Sequence, residues 1–285
     1  MKDNRLTYGE IIEKSKEFLI RKDVPSAKCD AEWIVSFLTN KKRVEIYLEF
    51  DNYVPQEQVA KIRDMVVDRG SRRPLQHLLG CVEFCNLKLK CDERALIPRP
   101  ETERLVEIII ERLDPNFSGK ILDLGTGSGA IVLALCNILK CAQGTGLDCS
   151  TKSLTLAEEN LSFSGIEKRV TFDTFDWLAG KQLEGMYDLV VSNPPYLSIQ
   201  EWEQSQPEVK IYDPKLALVS EKEGLQHIEG LINVVPKILK EGGVFCLEIG
   251  HGQADLTRSI MDKSFKHVEV LRDLSGVRRF IFCRN

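Results

Sequence analysis

Ile121-Leu122-Asp123-Leu124-Gly125-Thr126-Gly127-Ser128-Gly129-Ala130 reads as a strand, a glycine-rich turn and the start of a helix. Glycines in such a turn relieve the tight backbone and let a ligand approach it closely. The next strand-like run, Gly144-Thr145-Gly146-Leu147, ends at Asp148, a carboxylate able to accept both hydroxyls of a ribose. From Lys120 onward strand-like and helix-like segments alternate, the mark of a parallel sheet covered by helices on both faces. Strands are expected at 120–124, 144–148, 169–173, 187–192 and 243–248, and helices at 129–139, 151–163, 225–240 and 253–262. Residues 266–271 and 278–283 add two last strands, read as a hairpin closing the sheet edge. The fold class is therefore α/β with a mostly parallel sheet.

The fourth strand, Tyr187-Asp188-Leu189-Val190-Val191, runs into Ser192-Asn193-Pro194-Pro195-Tyr196. An apolar run this short reads as a buried parallel strand, and the two prolines end its ladder pairing at Asn193. Ligands of open α/β sheets sit at the carboxyl ends of the strands. There Asn193 offers a carbonyl acceptor and an amide donor on a short stem. Pro194 and Pro195 fix φ and carry no N–H, so the carbonyls beside them are held rigidly without their usual partners. Such an arrangement suits gripping a planar –NH2 group between two acceptors, and Tyr196 adds an aromatic wall. An ordinary proline-rich turn carries the same residues, so the tetrad takes its meaning from the rest of the chain.

The glycine loop alone is ambiguous. Gly125, Gly127 and Ala130 also satisfy a dinucleotide fingerprint, with Asp148 near the usual spacing of roughly 20 residues. Three features favour S-adenosylmethionine. Asp123 precedes the loop, where dinucleotide sites usually carry an apolar residue, and can accept from an ammonium group. The glycines also fit the shorter Gly-x-Gly-x-Gly pattern through Gly125, Thr126, Gly127, Ser128 and Gly129. A dehydrogenase has no use for Asn193-Pro194-Pro195-Tyr196. Asp176-Trp177, closing the loop after the third strand, can pair with an adenine amino group and stack on its ring.

The 285 residues are long enough for one large domain or two smaller ones. The net charge of −4 and the lack of a Lys/Arg cluster weigh against a dedicated nucleic-acid binder. Charge is uneven: residues 1–90 carry 17 Lys+Arg and 14 Asp+Glu, the remainder 22 and 29. No run approaches the ~18 apolar residues of a membrane span, and Met1-Lys2-Asp3-Asn4 is not followed by a signal-peptide core. Nine cysteines scattered through apolar segments fit reduced, buried thiols in a cytoplasmic protein. Cys81, Cys85 and Cys91 are the only close group and lack a His at ligand spacing, so they read as strand core, and no metal site is expected.

At the N-terminal end, Thr7-Tyr8-Gly9-Glu10 is a capping box. Pro25-Ser26 opens a second helix, Val44 to Leu48 make a third, and Pro55 starts a fourth that ends at Gly70. Residues 1–80 are thus read as a small helical domain for substrate recognition. Residues 81–98 change to period two, with Asn86 in a turn, and read as a β-hairpin linker; residues 99–285 form the remaining domain. Pro100, Glu101 and Glu103 suit a helix first turn, followed by the apolar face Leu105, Val106, Ile109 and Ile110.

With Asp123 to Gly129, Asp148 and Asn193-Pro194-Pro195-Tyr196 in one chain, the sequence resembles the class I S-adenosylmethionine-dependent methyltransferases, which have a Rossmann-like sheet. It is most similar to the glutamine N5-methyltransferases of peptide chain release factors, and this likeness covers essentially the whole chain. Its marks are Arg73-Pro74-Leu75-Gln76-His77-Leu78-Leu79-Gly80, Leu96-Ile97-Pro98-Arg99-Pro100-Glu101-Thr102-Glu103, Tyr212-Asp213-Pro214 with Ala217-Leu218, and Leu247-Glu248-Ile249-Gly250 with Gln253. The stretch from Ile97 to Glu103 is the most specific, because nucleic-acid amino-methyltransferases sharing the tetrad do not carry it. The family usually has Glu-Pro where Asp213-Pro214 stands, and often Asp-Leu-Ala-Gly where Asp273-Leu274-Ser275-Gly276 stands. Both departures are read as lying away from the chemistry. The resemblance implies a substrate, the side-chain amide of the Gln in the Gly-Gly-Gln tip of class 1 release factors. It also implies that the N-terminal helices contact that partner, with no direct nucleic-acid contact and no membrane. A monomer is expected. The rival reading is methylation of DNA or RNA exocyclic amines, in which the tetrad would grip a flipped base.

An amide nitrogen is a poor nucleophile because its lone pair is delocalised, so such an enzyme must position more than activate. The Asn193 side-chain oxygen and the Pro194 carbonyl are expected each to accept one N–H of the substrate, with Pro195 holding the turn and Tyr196 packing on the Gln side chain. His251 and His77 are set aside as catalytic groups because neither lies beside a strand-end motif.

Overall fold

A computed structural model describes residues 5–285; Met1-Lys2-Asp3-Asn4, considered above for a signal peptide, lie outside the described residues. The chain divides into two compact units, Met1–Gly80 and Cys81–Asn285.

Among the described residues the first unit holds five helices: α1 (Tyr8–Ile20), α2 (Ala27–Thr39), α3 (Arg43–Leu48), α4 (Gln56–Gly70) and α5 (Leu75–Leu79). The capping box forms: Thr7 Oγ1 accepts the Glu10 N–H at 3.2 Å, and Glu10 accepts the Thr7 N–H at 2.9 Å. Tyr8, Ile12, Leu19, Ile34 and Ile62 make the core, crossed by a buried Arg69–Asp30 ion pair at 2.7 Å. Sequence periodicity gave four helices; α5 is too short to show a period. Its punctuation was nonetheless present, with Pro74 before it and Gly80 after it at a φ of 68°.

The second unit opens with the hairpin β1 (Cys81–Phe84) and β2 (Leu87–Lys90). Cys85 and Asn86 both have positive φ, 46° and 62°, as a two-residue primed turn requires. Cys85 is therefore a turn residue, not the strand residue expected.

α6 (Pro100–Arg112) leads into β3 (Lys120–Leu124), α7 (Ala130–Ile138), β4 (Gln143–Asp148), α8 (Thr151–Ser164), β5 (Val170–Thr174) and β6 (Tyr187–Ser192). Four short elements follow where none was expected: α9 (Ile199–Glu203), a π turn Glu208–Tyr212, a 3-10 turn Lys215–Ala217, and α10 (Glu221–Gly224). Then come α11 (Gln226–Ile238), β7 (Leu239–Glu248), α12 (Ala254–Met261), β8 (His267–Arg272) and β9 (Arg278–Arg284). β7 begins earlier than expected and displaces the end of the helix before it; the extra pairing is irregular, shifting register between Tyr187 and Leu189.

The seven-stranded sheet runs β5-β4-β3-β6-β7-β9-β8. The first five strands are parallel, and β9 pairs antiparallel with both β7 and β8, so the terminal hairpin forms and β8 becomes the edge. Strand alternation splits the core in two. Ile121, Leu189, Val191 and Cys246 face the layer that contains Leu105, Ile109 and Leu133. Leu122, Val190, Phe245 and Leu247 face the layer that contains Ile228, Leu231 and Met261.

Candidate active site

Register decides what meets at the carboxyl edge. Leu124 pairs with Leu147 on one side and with Ser192 on the other, and Ser192 pairs with Leu247. The next residues along are Asp148, Gly125, Asn193 and Glu248, so four chemistry-bearing positions stand in one row on neighbouring strands. At about 4.8 Å between strands the row is roughly 14 Å long. Ser192 Oγ ties β6 to β3 by donating to the Leu124 carbonyl at 2.6 Å.

A cavity lies over this edge, lined among others by Gly125, Thr126, Gly127, Ser128, Asp148, Asp176, Trp177, Asn193 and Pro195. The sequence-predicted Gly129, Pro194 and Tyr196 are not in its lining. Gly129 is a packing position: at φ 82°, a Cβ there would lie 3.0 Å from Phe172 and 3.3 Å from Ala157.

At the glycine end, the Gly125 and Thr126 N–H groups donate to the Leu147 carbonyl at 2.8 and 3.0 Å. Asp148 accepts the Gly127 N–H on one oxygen and the Ser150 N–H on the other, each at 2.8 Å. Burial pushes its carboxyl up from the ordinary range, against those backbone donors. Gly125, at φ 77°, comes so near Trp177 that a Cβ would lie 3.2 Å from the ring. Trp177 is 7% exposed and meets His227 edge-on at 5.5 Å between centroids. Asp176 caps its own loop, accepting the Leu178 N–H at 2.8 Å.

Asp123 departs from expectation. It has no exposed surface; Oδ2 accepts from Thr126 Oγ1 at 2.7 Å and from the Val132 N–H at 3.3 Å. Burial raises its pKa to about 7. It fastens the loop to α7 and does not line the cavity.

At the tetrad end a relay of side chains appears that the sequence reading missed. Asn193 Nδ2 donates to Thr102 Oγ1 at 3.2 Å, and Thr102 Oγ1 donates to Glu248 Oε2 at 2.8 Å. The Tyr196 hydroxyl donates to Glu248 Oε1 at 3.4 Å. Burial pushes Glu248 up to about 7 and keeps Tyr196 well above the usual phenol range. Gln253 closes the group: its Nε2 donates to the Tyr196 carbonyl at 3.0 Å, and its Oε1 accepts the Gly250 N–H at 2.8 Å. Thr102, Glu248 and Gln253 all lie within the sequence marks quoted above, but no local pattern says that those marks converge.

Further points depart from the sequence reading. Asp213 is buried and pairs with Arg99 at 2.5 Å, and Pro214 and Arg99 line the cavity, so the Asp213-Pro214 departure sits at the site rather than away from it. His227 lines the cavity from the first turn of α11, where no strand end announced it; burial lowers its pKa from the ordinary imidazole value, against the opposing charge of Asp176. His251 does follow a strand end, just past Glu248, but is exposed and outside the lining. Of the nine cysteines, Cys29, Cys141 and Cys149 are exposed, not buried. Among the described residues no group of three or more His, Cys, Asp or Glu is placed to hold a metal ion, and no helix is long and apolar enough to cross a membrane.

Residues 10–80 match the family described as PrmC N-terminal domain, and residues 102–211 match the methyltransferase small domain. The release factor glutamine methyltransferase of Fusobacterium nucleatum subsp. nucleatum is 36% identical over 99% of this chain and 80% of its own length. That of Chlorobaculum tepidum is 33% identical over 96% of each chain. The hMettl16 catalytic domain, solved in complex with MAT2A 3'UTR hairpin 6, has a TM-score of 0.57 at 16% identity, over 74% of this chain and 81% of that one. That likeness speaks for the fold alone. Identity above 30% along nearly the entire sequence decides the kinship, and the chain belongs to the release factor glutamine methyltransferase family.

Proposed function

We propose that this protein transfers a methyl group from S-adenosylmethionine to the side-chain amide nitrogen, N5, of the Gln in the Gly-Gly-Gln motif of class 1 peptide chain release factors, acting in the cytoplasm as a monomer. The observation that carries the reading is the strand-end row: Asp148 ends β4, Gly125 and Asn193 follow directly on β3 and β6, and all three line one cavity.

The residues present fit the cofactor. Gly125 leaves open a cradle that a Cβ would fill, and Trp177 supplies an aromatic wall beside it. Asp148 binds the ribose hydroxyls, since each oxygen of a carboxylate can accept more than one hydrogen bond and the Asp148 side chain lines the cavity. The backbone of Gly125, Thr126, Gly127 and Ser128 lies along the cofactor, with Gly129 packed beneath, and Asp176 and Trp177 face the adenine. When bound, the cofactor supplies a sulfonium methyl that passes to a neutral nitrogen and leaves a neutral thioether.

Asn193 Oδ1 and the Pro194 carbonyl, which sits at the peptide bond to the cavity-lining Pro195, each accept one N–H of the substrate Gln. They hold the nitrogen in line for transfer and stabilise the positive charge that develops on it. Pro195 fixes the turn, and Tyr196, held through its hydroxyl and carbonyl, braces the tetrad from behind. The N-methylated amide cation is strongly acidic and gives its proton to water, so no general base is needed. The helical unit binds the release factor; Trp33, Phe37, Tyr47 and Leu48 of α2 and α3 are exposed apolar side chains of the kind a partner covers.

Labelled S-adenosylmethionine, offered with release factor or with nucleic acid, tests the assignment. Label should pass to release factor and be lost when the motif Gln is replaced. Transfer to nucleic acid instead would reassign the site to exocyclic amines. A chain beginning at Cys81, checked for folding by circular dichroism, should bind cofactor yet methylate intact release factor poorly. An equal rate would reduce the helical unit to a structural role.

A further inference from the structure

An amide side chain has two ends of nearly the same shape and opposite hydrogen-bonding character. Gripping a substrate –NH2 needs the oxygen end of Asn193, because its nitrogen end would set donor against donor. Something must therefore choose the orientation. Pro194 and Pro195 fix only the backbone beside it.

The choice is written in the relay behind the tetrad. Glu248 is 1% exposed at the end of β7, and each of its oxygens accepts a hydroxyl, Thr102 on Oε2 and Tyr196 on Oε1. An ionised carboxylate accepts only, so Thr102 must spend its single proton on Glu248. Its lone pairs are then what it offers Asn193, and Asn193 must answer with Nδ2, as it does at 3.2 Å. The carbonyl oxygen is left for the substrate. We propose that Glu248 is a positioning residue for methyl transfer, setting through Thr102 the hydrogen-bond polarity of Asn193 so that an acceptor faces the substrate amide. This rests on the amide-acceptor reading of Asn193 given above.

The groups around Glu248 suit the task. From β9 Arg279 faces it, itself paired with Asp273 at 2.8 Å. From α6 Glu101 opposes its charge, and after β6 Tyr196 donates to it while staying neutral. Arg99, paired with Asp213, lies on the Tyr196 side. Burial is the largest influence and lifts the carboxyl to about 7. Protonated, Glu248 can donate to Thr102, freeing the Thr102 proton to turn toward Asn193, and the polarity is lost. Deprotonated, it fixes the polarity. Turnover should therefore rise with pH as Glu248 ionises.

The test compares Thr102→Val, Thr102→Ser, Glu248→Gln and Asn193→Ala, reading kcat and KM for release factor from pH about 6 to 8.5 and cofactor affinity by calorimetry. Thr102→Val should lose about tenfold or more in kcat with cofactor affinity kept, whereas Thr102→Ser, which restores the hydroxyl, should stay within about threefold of wild type. Glu248→Gln should lower kcat and abolish its rise with pH. The inference is overturned if Thr102→Val turns over like wild type, if Ser and Val are equally impaired, or if the pH step survives in Glu248→Gln. Wild-type turnover by Thr102→Val alongside an inactive Asn193→Ala sinks only the positioning role. An active Asn193→Ala sinks the amide-acceptor reading itself.

Discussion

The two ends of the cavity are built from different material. At the glycine end much of the polar surface is backbone: the Gly125 and Thr126 N–H groups bond the Leu147 carbonyl, and Asp148 collects the N–H groups of Gly127 and Ser150. At the tetrad end it is a relay of side chains from distant segments, Thr102, Asn193, Tyr196 and Glu248. A backbone cradle depends on local conformation and needs only glycines and a carboxylate at the right spacing. A side-chain relay depends on every member at once, so one removal leaves a buried partner unsatisfied.

Single substitutions at the two ends should accordingly fail in different ways. The largest effect is expected at Asn193. Asn193→Ala removes the proposed substrate acceptor and strands the Thr102 lone pair, and kcat on release factor should fall by about two orders of magnitude or more while cofactor still binds. Asn193→Asp sharpens the point. It keeps an acceptor oxygen but turns a second oxygen on Thr102, whose proton already belongs to Glu248. Asp should therefore be as inactive as Ala at pH 7. Clear rescue by Asp would mean that the Asn193 amide donor is idle and that the ends are less different than their bonding indicates.

Next in size is Asp148. Asp148→Ala should weaken S-adenosylmethionine binding by about 1.5–3 kcal/mol, the worth of hydrogen bonds to a charged group. At saturating cofactor kcat should recover, the reverse of the Asn193 pattern. Calorimetric titration with unchanged affinity would remove Asp148 from the site.

The last effect is on stability rather than on turnover or binding, at the buried carboxylate under the loop. Asp123 titrates near 7 in the folded protein, above the ordinary carboxyl value of 3.8. The folded state therefore holds its proton more tightly, and this contribution is lost as pH rises toward and through 7. The slope is at most about 1.4 kcal/mol per pH unit. The Tm of Asp123→Asn relative to wild type should climb between pH about 5.5 and 8. A flat difference would show that Asp123 ionises without strain.

The same contrast governs what could be read ahead of the structure. Asp123 to Gly129 announced a strand, a turn and a helix because glycine spacing and apolar period are local properties, and the parallel sheet followed from their repetition. The segment from Leu197 to Gly224 was silent because its turns are too short to carry a period. His227 was overlooked because a polar residue in the first turn of a helix has no local signature of what it meets across the fold. Asp213-Pro214 was placed away from the chemistry for the same reason, since its ion pair with Arg99 spans 114 positions.

By itself, then, the sequence determined the α/β class, the glycine-rich turn and the proline-fixed Asn193, each carried by residues near one another in the chain, and the family, through several such short marks spread along it. Tertiary structure alone decided that β3, β6 and β7 lie side by side, which brings Gly125, Asn193 and Glu248 into one row. It also decided that the first turn of α6 delivers Thr102 between the last two of these. Strand order and register are products of burying both faces of the sheet at once, a condition no short window of sequence contains.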